Sequence, residues 1–271
     1  MNLNTNIVAE LEKISEVAGY LWDKGWAECN GGNISVNLTH AVGKDLPVSS
    51  TSAAIQSMPE PFPVLAGHLL YLTGSGCRMR DIAISPLDHG VIIRIARGGA
   101  GYEIISEKAI KPTSEMPSHL AIHDLLIKAG GTYKAALHTH PTELIALTHM
   151  PQFLDAAHLT RTLWAMIPET RVIVHKGAGI VPYTLPGSTA MAKACIRQLE
   201  QFDLVLWEKH GALAVGHNII ECFDMIDALT KSAKIYLLVR NTGIEPQGIS
   251  DAQLDELARA FNLKPGTCSE K

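Results

Sequence analysis

Apolar residues near the start of the chain recur three and four positions apart, with Leu11, Ile14, Ala18 and Leu21 on one stripe, which predicts an amphipathic helix over 8–24 closed by Gly25. The period then changes. In CNGGNISVNL (29–38) a glycine turn runs into alternation, predicting a strand around Ile34–Leu38. LLYLTGSG (69–76) reads as a second strand ending in a glycine turn, and VIIRIARGGAGYEII (91–105) as a hairpin with β-branched residues on both sides of its glycines. PTSEMPSHLAIHDLLIKAG (112–130) opens with capping residues and continues at helical period through Leu120, Leu125 and Ile127.

The second half alternates the two periods. AALHTH (135–140) is a strand, and PTELIALTHM (141–150) a helix with Pro141 at its first-turn position. RVIVHKGAGIVPY (171–183) is strand-like, STAMAKACIRQLEQF (188–202) a helix, and LVLWEKHGALAVG (204–216) a strand, turn and strand. ECFDMIDALTKSAKIYLLVR (221–240) is a long final helix before a polar tail. Residues 40–65, with Pro47, Pro59, Pro61 and Pro63, read as a long surface loop. The expected architecture is an α/β sandwich: one domain over 1–271, with a central, largely antiparallel sheet flanked by helices.

Composition narrows the chemistry. Of the 271 residues, 46% are hydrophobic and 18% charged, enough for a sizeable core, and the net charge of −4 gives no footprint for nucleic acid or an anionic membrane. No apolar run approaches the roughly 18–20 residues of a membrane span, and the N-terminus has no signal-peptide pattern, so a cytoplasmic protein is expected. The five cysteines (Cys29, Cys77, Cys195, Cys222, Cys268) are scattered, with no CxxC spacing, which suits a reducing compartment.

In a strand, residues i and i+2 share a face, so His138 and His140 present two imidazoles side by side, as metal ligands or as polar strand-end residues. A catalytic metal wants a third donor. His119 and His123 lie four apart on a helix face without an HExxH-type glutamate and read mainly as that face. His210 ends an apolar strand just before Gly211 and is the better third ligand. The turns NGGN (30–33) and TGSG (73–76), with Thr113 and Ser114 at a helix start, offer backbone N–H groups and hydroxyls that suit a phosphate, although such turns often serve backbone geometry alone. Glu115 either stabilises the first helical turn or acts as a base; Glu143, just after Pro141, competes for that role.

Taken in order, GWAECNGGNIS (25–35), LTGSGCRMRD (72–81), GGAGYEI (98–104), PTSEMPSH (112–119), ALHTHPTELIALT (136–148), LTRTLW (159–164), GIVPYTLPGS (179–188) and LVLWEKHG (204–211) resemble the class II aldolase/adducin-head family across most of the chain. The resemblance implies one Zn2+ per subunit on His138, His140 and His210, with Glu115 as catalytic glutamate. It aligns Asn30, Asn33, Ser75 and Gly76 with phosphate-binding turns, and Gly32, Thr73, Gly74, Thr113 and Ser114 with corresponding positions of the wider family. Glu169 matches a second functional glutamate presented across a subunit boundary, in a homotetramer with active sites near subunit interfaces. The implied reaction is retro-aldol cleavage of a small-molecule sugar phosphate, L-rhamnulose 1-phosphate, to dihydroxyacetone phosphate and L-lactaldehyde. Charge left at C3 by that cleavage needs an electrophile, since general acid–base help typically contributes about 10²–10⁴-fold while enzymes need roughly 10⁶ or more. The competing expectations are a fuculose 1-phosphate aldolase, a pentulose 5-phosphate epimerase, metal-dependent hydrolysis, and a non-catalytic adducin-like interaction module.

Overall fold

Helix α1 (Thr5–Asp23) begins where the Asn4 side chain accepts a hydrogen bond from the Asn6 N–H, and stops before Gly25, whose φ of +70° suits a left-handed turn. Its Ile7, Leu11, Ile14, Val17, Ala18 and Leu21 are buried along one stripe, as the spacing requires. The computed structural model describes residues 4–42, 55–108 and 110–263. After α1 come β1 (Asn33–Asn37), α2 (Thr39–Val42), β2 (Gln56–Ser57), β3 (Leu69–Thr73), α3 (Met79–Ile82), β4 (Gly90–Ile95), β5 (Gly101–Ile104) and α4 (Met116–Lys128). The remainder is β6 (Ala135–Thr139), α5 (Thr142–Leu147), α6 (Ala156–Trp164), α7 (Pro168–Ile173), β7 (Ala178–Val181), α8 (Thr189–Leu199), β8 (Leu204–Trp207), β9 (Gly211–Gly216), α9 (Ile219–Arg240) and α10 (Asp251–Ala260).

The described strands form one sheet in the order β2-β5-β4-β3-β1-β6-β9-β8-β7, antiparallel throughout except for β7 beside β8. Helices cover both faces. On one, α1, α5, α6 and α9 share a core with Ile34, Val36, Leu137 and Ala214; on the other, α4 and α8 pack over Ala136, Val205, Leu213 and Val215. Strands β1, β3, β6 and β9 are therefore buried along their whole length. The alternation in NISVN separates two buried faces and not a wet one from a dry one: Ile34 and Val36 enter the apolar core, while Asn33, Ser35 and Asn37 lie opposite.

The departures from expectation have local causes. In 171–183 the β-branched run begins inside α7, because Pro168 is pre-set for a first helical turn, and only Ala178–Val181 is strand. The polar tail contains α10, started by a capping box in which Ser250 and Gln253 satisfy each other's backbone N–H groups. The 40–65 loop is not structureless where described: Thr39–Val42 is helical, Gln56–Ser57 pairs with β5, and Pro63–Leu65 forms a 3-10 turn, while 43–54, like Cys268, lie outside the described residues. Pro141 sits at the N-cap of α5, one position earlier than its composition suggests. The capping chemistry expected at 113–115 falls to Thr113, whose Oγ1 accepts from the Glu115 N–H at 3.3 Å, while Glu115, the N-cap residue of α4, makes no cap with its carboxylate.

Candidate metal centre and active site

Antiparallel pairing brings the chemistry to one end of the sheet. Strand β1 starts where β3 and β6 end, with Asn33 opposite His138, and β9 starts there too, with Ala212 opposite Thr139. His138 lies inside β6 and His140 just past it, on the same side by the two-residue period. The β8–β9 turn carries the third imidazole: Lys209 takes a φ of +59°, its N–H donates to Thr148 Oγ1 at 2.8 Å, and the His210 N–H donates to Trp207 O at 3.0 Å. The three rings pack edge-on or tilted, 4.8–5.1 Å apart, and His138 stacks on Trp207 at 4.2 Å.

The surrounding acceptors fix the tautomers. His138 Nδ1 donates to Ala212 O at 3.0 Å, and His140 Nδ1 donates to a Glu28 carboxylate oxygen at 2.7 Å. In the neutral ring the lone pair then falls on Nε2, and these two nitrogens face each other at 3.2 Å. His210 Nδ1 is buried without a hydrogen-bond partner among the described residues. Three imidazoles, with ligand atoms all within 4.8 Å of one another, fit a divalent metal, and a three-ligand set is what a catalytic metal with a fourth position for substrate needs. Burial, reinforced by the neighbouring imidazoles, holds His138 well below its ordinary pKa and His210 at about 4, so both are neutral donors at pH 7.

Glycines make this packing possible. A Cβ on Gly211 would lie 2.4 Å from Thr139 O and about 3 Å from both His138 and His140, and one on Gly31 would lie 2.9 Å from His140 Nδ1. Glu28 is a contributor the sequence reading missed; the orienting role of a carboxylate behind a histidine becomes legible only once the 26–32 turn folds against β6.

Glu115 reaches the same corner from the other side. Lys111 O accepts from the Ser75 N–H and Thr73 O from the Thr113 N–H, so the segment before α4 is tied to the end of β3. The carboxylate is buried and accepts from Asn33 Nδ2 at 3.1 Å. Burial pushes its pKa up, while the Asn33 hydrogen bond and the nearby His140 pull it down. The competitor Glu143 is spent on Lys234, 3.8 Å away.

The phosphate-turn residues divide into two groups. Asn30, Ser75, Gly76 and Ser114 are exposed, and Gly32 and Thr113 are partly so. Thr73 and Gly74 are interior: Thr73 Oγ1 accepts from the Ile34 N–H at 3.3 Å, and a Cβ on Gly74 would strike Ile110, Cys77 and His89. Asn33 is buried with its amide bonded at both ends, to Glu115 and to His119, so it supports Glu115 more directly than it presents an open donor. Glu169 is exposed in the first turn of α7, which packs mainly on α6, α9 and α10. His119 and His123 are more than a helix face: both are fully enclosed against β1.

The profile of the class II aldolase and adducin N-terminal domain matches residues 12–237, and the chain belongs to that family, whose aldolases are metal-dependent. It is 47% identical to a rhamnulose-1-phosphate aldolase of Bacteroides thetaiotaomicron, over 95% of this chain and 96% of that one. A sugar-phosphate aldolase from Thermotoga maritima shares the fold with a TM-score of 0.77 at 30% identity, covering 89% of this chain and 99% of that chain. An L-fuculose 1-phosphate aldolase shares the fold at a TM-score of 0.63 and 21% identity, over 94% and 97% of the respective chains.

Gly211→Ala places a methyl group where the backbone of Thr139 and two imidazoles already stand, so it is expected to expel or distort the metal while the apolar core persists. Metal content after dialysis should fall at least about tenfold, the lower end of losses from disturbed ligand orientation. A variant with full metal content and wild-type activity would contradict this packing.

Proposed function

We propose that the chain is a zinc-dependent aldolase that cleaves L-rhamnulose 1-phosphate to dihydroxyacetone phosphate and L-lactaldehyde, acting as one domain over 1–271. The observation that carries this reading is the convergence of His138, His140 and His210 with a buried Glu115 whose carboxylate caps no helix. Family membership and the near full-length similarity to a rhamnulose-1-phosphate aldolase support the substrate. Zinc suits a three-imidazole set with one open position. Held there, it supplies a Lewis acid for the negative charge that develops at the sugar carbonyl.

The side chains do the rest. When the C3–C4 bond breaks, its electron pair stays on C3 and the C4 hydroxyl loses its proton as the aldehyde forms. Glu115 takes up the proton that leaves the C4 hydroxyl and delivers it to C3, and in the synthetic direction returns it from C3 toward the C4 oxygen, a task suited to a carboxylate whose affinity for protons is raised by burial. Asn30, Ser75, Gly76 and Ser114 grip the phosphate with exposed N–H and side-chain groups, and Gly32 and Thr113 complete the cradle. Thr73, Gly74 and Asn33 hold that cradle from within. Glu169, exposed in the first turn of α7, serves the aldehyde side of a neighbouring subunit in a homotetramer. The setting is the cytoplasm, in rhamnose breakdown. This donor set and cradle have no use in an adducin-like interaction module.

Release of dihydroxyacetone phosphate from L-rhamnulose 1-phosphate should disappear on chelation and return with zinc. Efficient cleavage of L-fuculose 1-phosphate instead, or activity indifferent to chelation, would overturn the assignment. Glu115→Gln and Glu169→Gln should each keep the metal and lose at least about 100-fold in kcat, as expected for loss of acid–base help. Mixing the two inactive variants under subunit exchange should restore measurable turnover, because hybrid oligomers contain sites with both glutamates; no recovery would refute a site shared between chains.

A further inference from the structure

Behind Glu115 a polar file runs into the interior. Asn33 and Ser35, two apart on the same face of β1, meet His119 and His123, four apart on the same face of α4. His119 Nε2 is hydrogen-bonded to Asn33 Oδ1, while Ser35 Oγ lies 2.6 Å from His119 Nδ1 and 2.8 Å from His123 Nε2. Ser35, His119 and His123 are at most 1% exposed.

The carboxylate dictates the direction of every bond. Ionised Glu115 can only accept, so Asn33 turns its NH2 toward it and its carbonyl oxygen toward His119. That oxygen can only accept, so His119 carries its proton on Nε2. His119 is neutral, since burial holds it at about 4, and its bare Nδ1 accepts from the Ser35 hydroxyl. With its hydrogen committed, Ser35 Oγ accepts from His123 Nε2–H. All four bonds are polarised toward Glu115.

We propose that Ser35, His119 and His123 are positioning residues for the aldol reaction, a one-directional hydrogen-bond chain that holds Asn33 in a single amide orientation and thereby holds the Glu115 carboxylate in place. A tie between α4 and β1 alone would need no such direction, and apolar side chains would fill the space at less desolvation cost. The inference rests on the reading of Glu115 as the proton-transferring group. The other groups facing the file are His140 beside Glu115, His138 beside His119, and His68 beside His123. His68 extends the polar face of β1 through Asn37, whose Nδ2 lies 3.2 Å from His68 Nδ1.

Ser35→Ala removes the central link with the loss of one oxygen. The variant is expected to keep its metal, its thermal midpoint within a few degrees and its KM within about twofold, while kcat falls about 10- to 100-fold, in line with the cost of misplacing a catalytic group. Wild-type turnover in Ser35→Ala, or a loss carried mainly by KM or metal content, would overturn the proposal. If Glu115→Gln is itself fully active, the reading of Glu115 fails; if it is inactive while Ser35→Ala is normal, the chain alone fails. Nitrogen-15 NMR of the imidazoles in the unmodified holoenzyme needs no variant to fold. At pH 7 it should show His119 and His123 neutral and protonated on Nε2, and an Nδ1–H tautomer or an imidazolium at either position would refute the chain.

Discussion

Strand β6 is hydrogen-bonded between β1 and β9, and that register is the constraint on which the site depends. It sets Asn33 beside His138 and brings the start of β9, with the turn that carries His210, against the end of β6. Because side chains alternate along a strand, a slip of one residue would send His138 to the opposite face and strand Asn33 away from Glu115. The apolar packing on both faces prevents that slip. Ile34 and Leu137 fit one core and Ala136 and Leu213 the other, so the same pattern that drives folding aligns the imidazoles.

Within that frame the site collects groups that folding by itself disfavours. An unpaired buried polar group costs about 1–3 kcal/mol, so each needs a partner. Most have one: Ala212 O for His138, Glu28 for His140, Asn33 for Glu115, and Ser35 for both His119 and His123. The exception is informative. His138 and His140 bring their Nε2 atoms to 3.2 Å and the His210 ring completes the three, which is the arrangement a cation would resolve. Burial that would punish a charged imidazole also keeps it a neutral donor.

Much of this was legible in the sequence, for reasons that differ by element. The stripe of α1 and the glycine-flanked hairpin of β4 and β5 follow from period and turn chemistry, and the HxH pair follows from strand geometry. A strand end just before a glycine marked His210 as the third ligand, family resemblance singled out Glu115 among the acids, and the structure places both at the same corner as the pair. The 171–183 run misled because β-branched residues suit a strand locally while Pro168 and the packing of α7 on α9 favour a helix. His119 and His123 looked like an amphipathic face because sequence shows only their spacing; that the face meets the polar side of β1 is a tertiary fact. Glu28, five residues after the end of α1 and exposed, lies within GWAECNGGNIS, but nothing in that stretch marks it as the partner of a histidine.

The central claim is that three imidazoles from two adjoining strand ends hold the catalytic metal. X-ray absorption at the metal K-edge of the loaded enzyme tests it most directly. The account predicts three imidazole nitrogens at about 2.0–2.1 Å with one further light-atom ligand, and loss of one imidazole shell in His210→Ala. Sulfur scattering, or an unchanged spectrum in that variant, would contradict it.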